Sequence, residues 1–167
     1  MKLRKDIFSG PDKSSPAAEE SAVGCGAPAM DDLRKRRQTW LICLGYEKVL
    51  HIQPDHLQAN ANLAWMLACN PNPSLRNGAG AVSLALRADR LSGGQNPIII
   101  GTLAAAYAEV GKFSEAAVTA QRALQFSAGE SRSSLAANLR AQLALYQARS
   151  PFRGSSPAGL PSDILDK

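Results

Sequence analysis

The chain has 167 residues, 45% hydrophobic but only 5% aromatic, and carries a formal net charge of +5. This length suits one compact unit with tails rather than two full domains, and no stretch approaches the roughly 18 apolar residues that span a bilayer. Cys25, Cys43 and Cys69 are odd in number and widely spaced, which excludes a disulfide framework and a paired-ligand zinc site.

The start, Met1, Lys2, Leu3, Arg4 and Lys5, is charged, and no apolar stretch of signal-peptide length follows it. A soluble, cytoplasmic protein is therefore expected. Residues 9–29 are rich in Ser, Pro, Gly and Ala without an apolar period. Such a stretch cannot bury enough surface to offset the entropy of ordering it, so residues 1–30 read as a disordered segment.

Residues 31–52 form the first expected helix, interrupted at Gly45. Its run Arg34, Lys35, Arg36 and Arg37 is either a solvated helix face or a patch for nucleic acid or lipid headgroups. The aromatics that stack on bases are not interleaved with it, and no specific nucleic-acid binding is expected. His51 and His56 flank Pro54 and Asp55 at an element boundary. Cys43 lies about two helical turns before His51, but no third group orients the pair as catalysis requires. Boundary packing is the reading for both histidines, with no catalytic residue, metal ligand or cofactor site.

Residues 57–69 follow as a helix, broken by Pro71 and Pro73; Asn77 opens the next helix, which ends at Gly93 and Gly94. The two glycines lack the lysine and preceding strand of a phosphate loop and read as a helix C-cap. Asn96 before Pro97 is an N-cap with proline at the first helical position, where the missing amide hydrogen costs nothing. Residues 97–110 form that helix, closed by Gly111. Ser114 then caps a helix through Ala116, Ala117, Ala120, Ala123 and Leu124, and the short link forces a helical hairpin. Residues 130–149 carry Leu135, Leu139, Leu143 and Tyr146 on one stripe of a last helix, and residues 151–167, again rich in Gly, Ser and Pro, read as a disordered tail.

Self-similarity organises the folded part. Ile100, Leu103, Ala104, Tyr107 and Gly111, then Ala116, Ala120 and Ala123, repeat Asn60, Leu63, Ala64 and Leu67, then Ala81, Ala85 and Ala88. Ala81 to Ala116 and Ala88 to Ala123 are each 35 residues. This pattern resembles the tetratricopeptide repeat (TPR), whose period is about 34 and whose small helix-B residues make a slot for the Leu and Tyr of helix A. The match is fullest over 97–128, though Ala120 stands where a larger aromatic is usual and Ala128 where proline usually ends the repeat. Over 57–96 the loop between the helices is longer than the family's usual turn. Tyr46, Val49 and Pro54 look like the second half of a further repeat. The sequence looks more narrowly like bacterial TPR proteins, in which such a pair closes a longer array before a capping helix and an ending like Pro151, Phe152 and Arg153.

The resemblance implies an all-α fold: a short TPR-type helical-hairpin solenoid with a half-repeat at 31–56, repeats at 57–96 and 97–128, and a C-terminal capping helix at 130–149. It also implies a concave groove lined by Gln58, Ala61, Asn62, Trp65 and Cys69 from the first hairpin and Ile98, Thr102, Ala105 and Glu109 from the second, with Gly101 and Ala108 on the same face. Asn62 stands where peptide-binding members hydrogen-bond a ligand backbone, and Trp65 is either an aromatic anchor or a packing residue. The basic residues of the carboxylate-clamp subfamily are absent from these positions. The implied function is a non-catalytic module that binds a protein or peptide through this groove. The alternative is a detached C-terminal segment of a larger glycosyltransferase-like or membrane-anchored enzyme. Trp40, Leu41, Leu44 and Leu50 have no preceding hairpin to cover them, so self-association through the N-terminal end is expected.

Overall fold

The computed structural model describes residues 30–127 and 133–154. Of the segments expected to be disordered, 1–30 and 151–167, residues 1–29 and 155–167 lie outside the described residues, as does the link 128–132. Among the described residues there are six α-helices and no strand: α1 (Met30–Ile52), α2 (Leu57–Cys69), α3 (Gly78–Leu91), α4 (Pro97–Glu109), α5 (Phe113–Phe126) and α6 (Ser133–Gln147), with a 3-10 turn at Pro73–Leu75 between α2 and α3. Each helix packs on the next along the chain; α2 also lies against α4, and α4 touches α6.

The helices divide into two kinds by their burial. In α2, ten of 13 residues are buried, and α4 repeats that proportion. Such helices are apolar almost all round and have to be covered on several sides. By contrast α3 buries only Gly80, Ala81, Ala85 and Ala88, and α5 only Ala116, Ala120 and Ala123. These six alanines are fully buried. Having only a methyl group, they let α3 and α5 approach α2 and α4 closely, so that Leu63, Leu67, Ile100 and Leu103 fill the space between. Each such large side chain contributes roughly 1.5–3 kcal/mol when removed from water.

The helix ends follow their local chemistry. Asn77 Oδ1 accepts from Gly80 N and Asn96 Oδ1 from Ile98 N, so both asparagines cap as expected. The helix α5 begins two residues earlier than expected, at Phe113 rather than after a Ser114 cap, and Lys112 at its N-cap makes no side-chain bond. After α4, Gly111 adopts φ 78, Gly111 N donates to Ala108 O and Lys112 N to Tyr107 O. That pair of bonds closes a helix through a left-handed residue. Gly93 and Gly94 close α3 the same way, with Gly94 N donating to Asp89 O. The helix α6 ends likewise, but Arg149 holds the left-handed position at φ 54.

Two expectations need correction. Gly45 does not interrupt α1, which is continuous; Gly45 is exposed, so its small size meets no packing demand that would bend the helix. The resemblance implies that Tyr107 enters a slot beside Ala116 and Ala123, but the structure does not place it with Ala123. Tyr107 packs with Ala104, Ala108, Ala116 and Ala120, while Ala123 belongs with Ile100, Leu135 and Leu139 of α6.

Candidate functional site

The residues expected to line an open groove are placed on one face of α2 and α4, but the structure covers much of that face. Ala61, Asn62, Trp65, Cys69, Thr102 and Ala105 are all buried, Ile98 and Glu109 are half-buried, and only Gln58 is exposed. Ala61 packs with Leu57, Ala88 and Ile99, and Thr102 Oγ1 donates to Ile98 O at 3.0 Å. Gly101 lies under α6, where a Cβ would stand 2.9 Å from Leu139 Cδ2. Asn62 is engaged at both ends: its Nδ2 donates to Tyr46 Oη at 2.9 Å, and its Oδ1 accepts from Gln58 Nε2 at 3.0 Å. Periodicity finds which residues share a helix face. It cannot show that α1, α6 and residues 151–154 converge on that face.

The segment that follows α6 is the feature that sequence reasoning placed elsewhere. Residues 151–154, expected as the start of a disordered tail, lie across α2 and α4. The Phe152 ring stands 5.8 Å from that of Trp65, tilted by 49°, and packs into the clusters that contain Leu103, Tyr107 and Tyr146. Such tilted aromatic pairs add to the area they bury. Arg153 Nη1 donates to Ala68 O at 3.2 Å and pairs with Glu109 Oε2 at 2.5 Å, and Gly154 N donates to Cys69 O at 3.1 Å.

These contacts complete an account of the backbone. The last four carbonyls of a helix have no partner inside it. At the end of α2, Leu67 O accepts from Asn77 N, Ala68 O from Arg153, Cys69 O from Gly154 N, and Asn70 O from Arg76 Nη1. Arg76 also donates through Nε to Glu109 Oε1 at 3.0 Å. Glu109 therefore holds two guanidinium groups, one on each carboxylate oxygen, with only 13% of its side chain exposed. A charge this buried needs such partners, because desolvation alone disfavours it.

Two buried polar atoms have no partner among the described residues: Trp65 Nε1 and Asn60 Oδ1. Burial pushes the Cys69 thiol up to about 12, with Arg153 opposing and Glu109 adding to the rise. Burial likewise lifts the Cys43 thiol to about 11, with a contribution from Glu47. His56 has a role that spacing did not reveal, since its Nδ1 accepts from Ala59 N at 3.2 Å and caps α2. His51 is exposed. Among the described residues no three His, Cys, Asp or Glu side chains gather where they could hold a metal ion, and no helix is long and apolar enough to cross a membrane.

At the other end of the molecule, α1 packs on α2 through Cys43, Tyr46 and Leu50. Five of its other apolar side chains, Leu33, Trp40, Leu41, Val49 and Ile52, are exposed. Of the residues expected to lack cover, Trp40 and Leu41 are exposed, Leu44 is half-buried, and Leu50 is packed on the core. Comparison with known proteins found no matching family model, no matching curated protein and no matching solved structure.

Proposed function

We propose that this chain is a non-catalytic tetratricopeptide-repeat module that binds a protein or peptide across the face shared by α2 and α4. The observation that carries this reading is one packing unit used twice. Ala81, Ala85 and Ala88 of α3 and Ala116, Ala120 and Ala123 of α5 are equally spaced and equally buried, and each set faces a preceding helix with Leu63 and Ala64 or Leu103 and Ala104 at matching positions. The offset is 40 residues between the first helices of the hairpins and 35 between the second. The longer loop of the first hairpin, with its 3-10 turn at Pro73–Leu75, accounts for the difference. Stacked hairpins of this kind present one continuous helical face, and binding to such a face needs no chemistry from the protein. The two described cysteines, with thiols held far above the neutral range, are suited to packing rather than nucleophilic attack.

The test is affinity capture from the native host, followed by direct binding of the identified partner. Gln58 is exposed on this face and Ile98 is half-buried against the cluster of Ile100, Ala123, Leu135 and Leu139, so Gln58→Arg with Ile98→Ala is expected to abolish binding while the circular dichroism stays that of the parent and the thermal midpoint falls only modestly. A partner that binds the doubly substituted chain as tightly as the parent would place the binding surface elsewhere.

A further inference from the structure

We propose that the end of the α2–α4 face is a receptor for an aromatic–arginine–glycine segment, which Phe152, Arg153 and Gly154 of the same chain occupy until a partner presenting that chemistry displaces them. The inference rests on the reading of this face as the binding surface, and adds the class of ligand and the means of regulation.

The receptor side is rich in acceptors. Ala68 O and Cys69 O project from the end of α2, where the helix dipole favours a cation, and Glu109 Oε2 stands beside them. A planar guanidinium with several donors suits this set better than a point charge does. Trp65 supplies the aromatic surface, and its buried Nε1 has no acceptor among the described residues. A ligand carbonyl placed there would gain a bond that the resident segment does not make.

The position after the arginine is restricted as well. A Cβ at residue 154 would fall 2.6 Å from Phe152 Cε1, so any larger residue there pushes the Phe152 ring from its place beside Trp65.

The receptor keeps its shape without its occupant. Arg76 holds Glu109 Oε1 as well as Asn70 O and Pro71 O, so the carboxylate remains paired and the end of α2 remains partly capped when Arg153 leaves. The occupant is lightly held, because the Arg153 side chain is 34% exposed and Phe152 is half-buried. Its advantage is tethering, which gives an effective concentration on the order of millimolar. A free peptide of the same sequence therefore competes poorly with the intact chain and well once the tethered segment is disabled.

The experiment uses the full chain with Trp40→Phe, so that Trp65 is the only indole, and the peptide acetyl-Ser-Pro-Phe-Arg-Gly-amide as probe. With Phe152→Ala and Arg153→Ala added, the peptide is expected to give a saturable change in Trp65 emission, with affinity at least tenfold tighter than for the chain with its own segment. Replacing Phe, Arg or Gly of the peptide by alanine should remove the response. No saturable change in a folded variant, or equal affinity for both chains, would overturn the proposal. Hydrogen exchange on the unsubstituted chain gives a second readout that needs no variant to fold. The Gly154 amide is expected to exchange at least tenfold faster than the core amides of α4. Exchange of Gly154 only through global unfolding would overturn displacement. A partner that binds this face while Gly154 protection is unchanged would also overturn it, and would leave the module reading intact.

Discussion

At the scale of single residues, stability rests on a few large side chains set against small ones. Tyr107 lies between the cluster around Leu103 and the cluster around Ala116, touching both. Tyr107→Ala removes a shared wall and is expected to cost about 3 kcal/mol, the lower end for large aromatic truncations because the ring is half-buried; the urea midpoint is the measurement. The cysteines make a prediction about pH. Their thiols are raised from 9.0 to about 11 at Cys43 and about 12 at Cys69, so above pH 9 the unfolded chain loses protons that the folded chain keeps. The stabilising difference is fully present below about pH 9 and is lost as pH rises to 11 and beyond. At Cys43 the two-unit gap corresponds to roughly 2–3 kcal/mol. Urea melts between pH 8 and pH 11 should show stability falling, and Cys43→Ala should flatten that slope.

At the scale of elements, three helices end on the same backbone device, and only one uses a residue that strains it. Gly93 after α3 and Gly111 after α4 accept positive φ at no steric cost, whereas Arg149 after α6 carries a Cβ at φ 54. Left-handed conformations are disfavoured for residues other than glycine by about 1 kcal/mol or more. Arg149→Gly is therefore expected to raise the stability by roughly 1 kcal/mol, read in chemical denaturation. The gain would be smaller than the full strain because glycine also frees the unfolded chain. Arg149 precedes the segment that crosses α2 and α4 by two residues, so the same turn aims Phe152 at Trp65.

At the scale of the whole molecule, the two ends are finished differently. The helix α6 closes one end with Leu135, Leu139 and Tyr146 turned inward. At the other, α1 leaves Leu33, Trp40, Leu41, Val49 and Ile52 exposed. An apolar strip of this kind marks a surface that gains from being covered, and a second copy of the chain supplies an identical strip. The basic run at Arg34, Lys35, Arg36 and Arg37 opposes that pairing by like-charge repulsion, which salt screens while leaving apolar contact intact. Sedimentation across a concentration series should therefore show self-association that strengthens from low to high salt and disappears in Trp40→Glu with Leu41→Glu. A monomer under all these conditions would show that the strip is not a self-complementary surface.

The sequence by itself determined the helices and their order. Asn77, Asn96, Gly94 and Gly111 punctuate the chain through local backbone chemistry, and the alanine spacing in α3 and α5 marks which sides are buried, because both signals act within a few turns. It also grouped the residues that share one side of α2 and of α4, since residues three and four apart share a side. Only the tertiary structure decided how much of that face is open. Phe152 meets Trp65, and Arg153 meets Glu109 at a separation of 44 positions along the chain, contacts that no local period encodes. Glycine, serine and proline around residue 151 signal that no helix continues there, which is correct for 151–154, yet a segment without secondary structure can still be held by one ring, one ion pair and the unsatisfied carbonyls at the end of another helix.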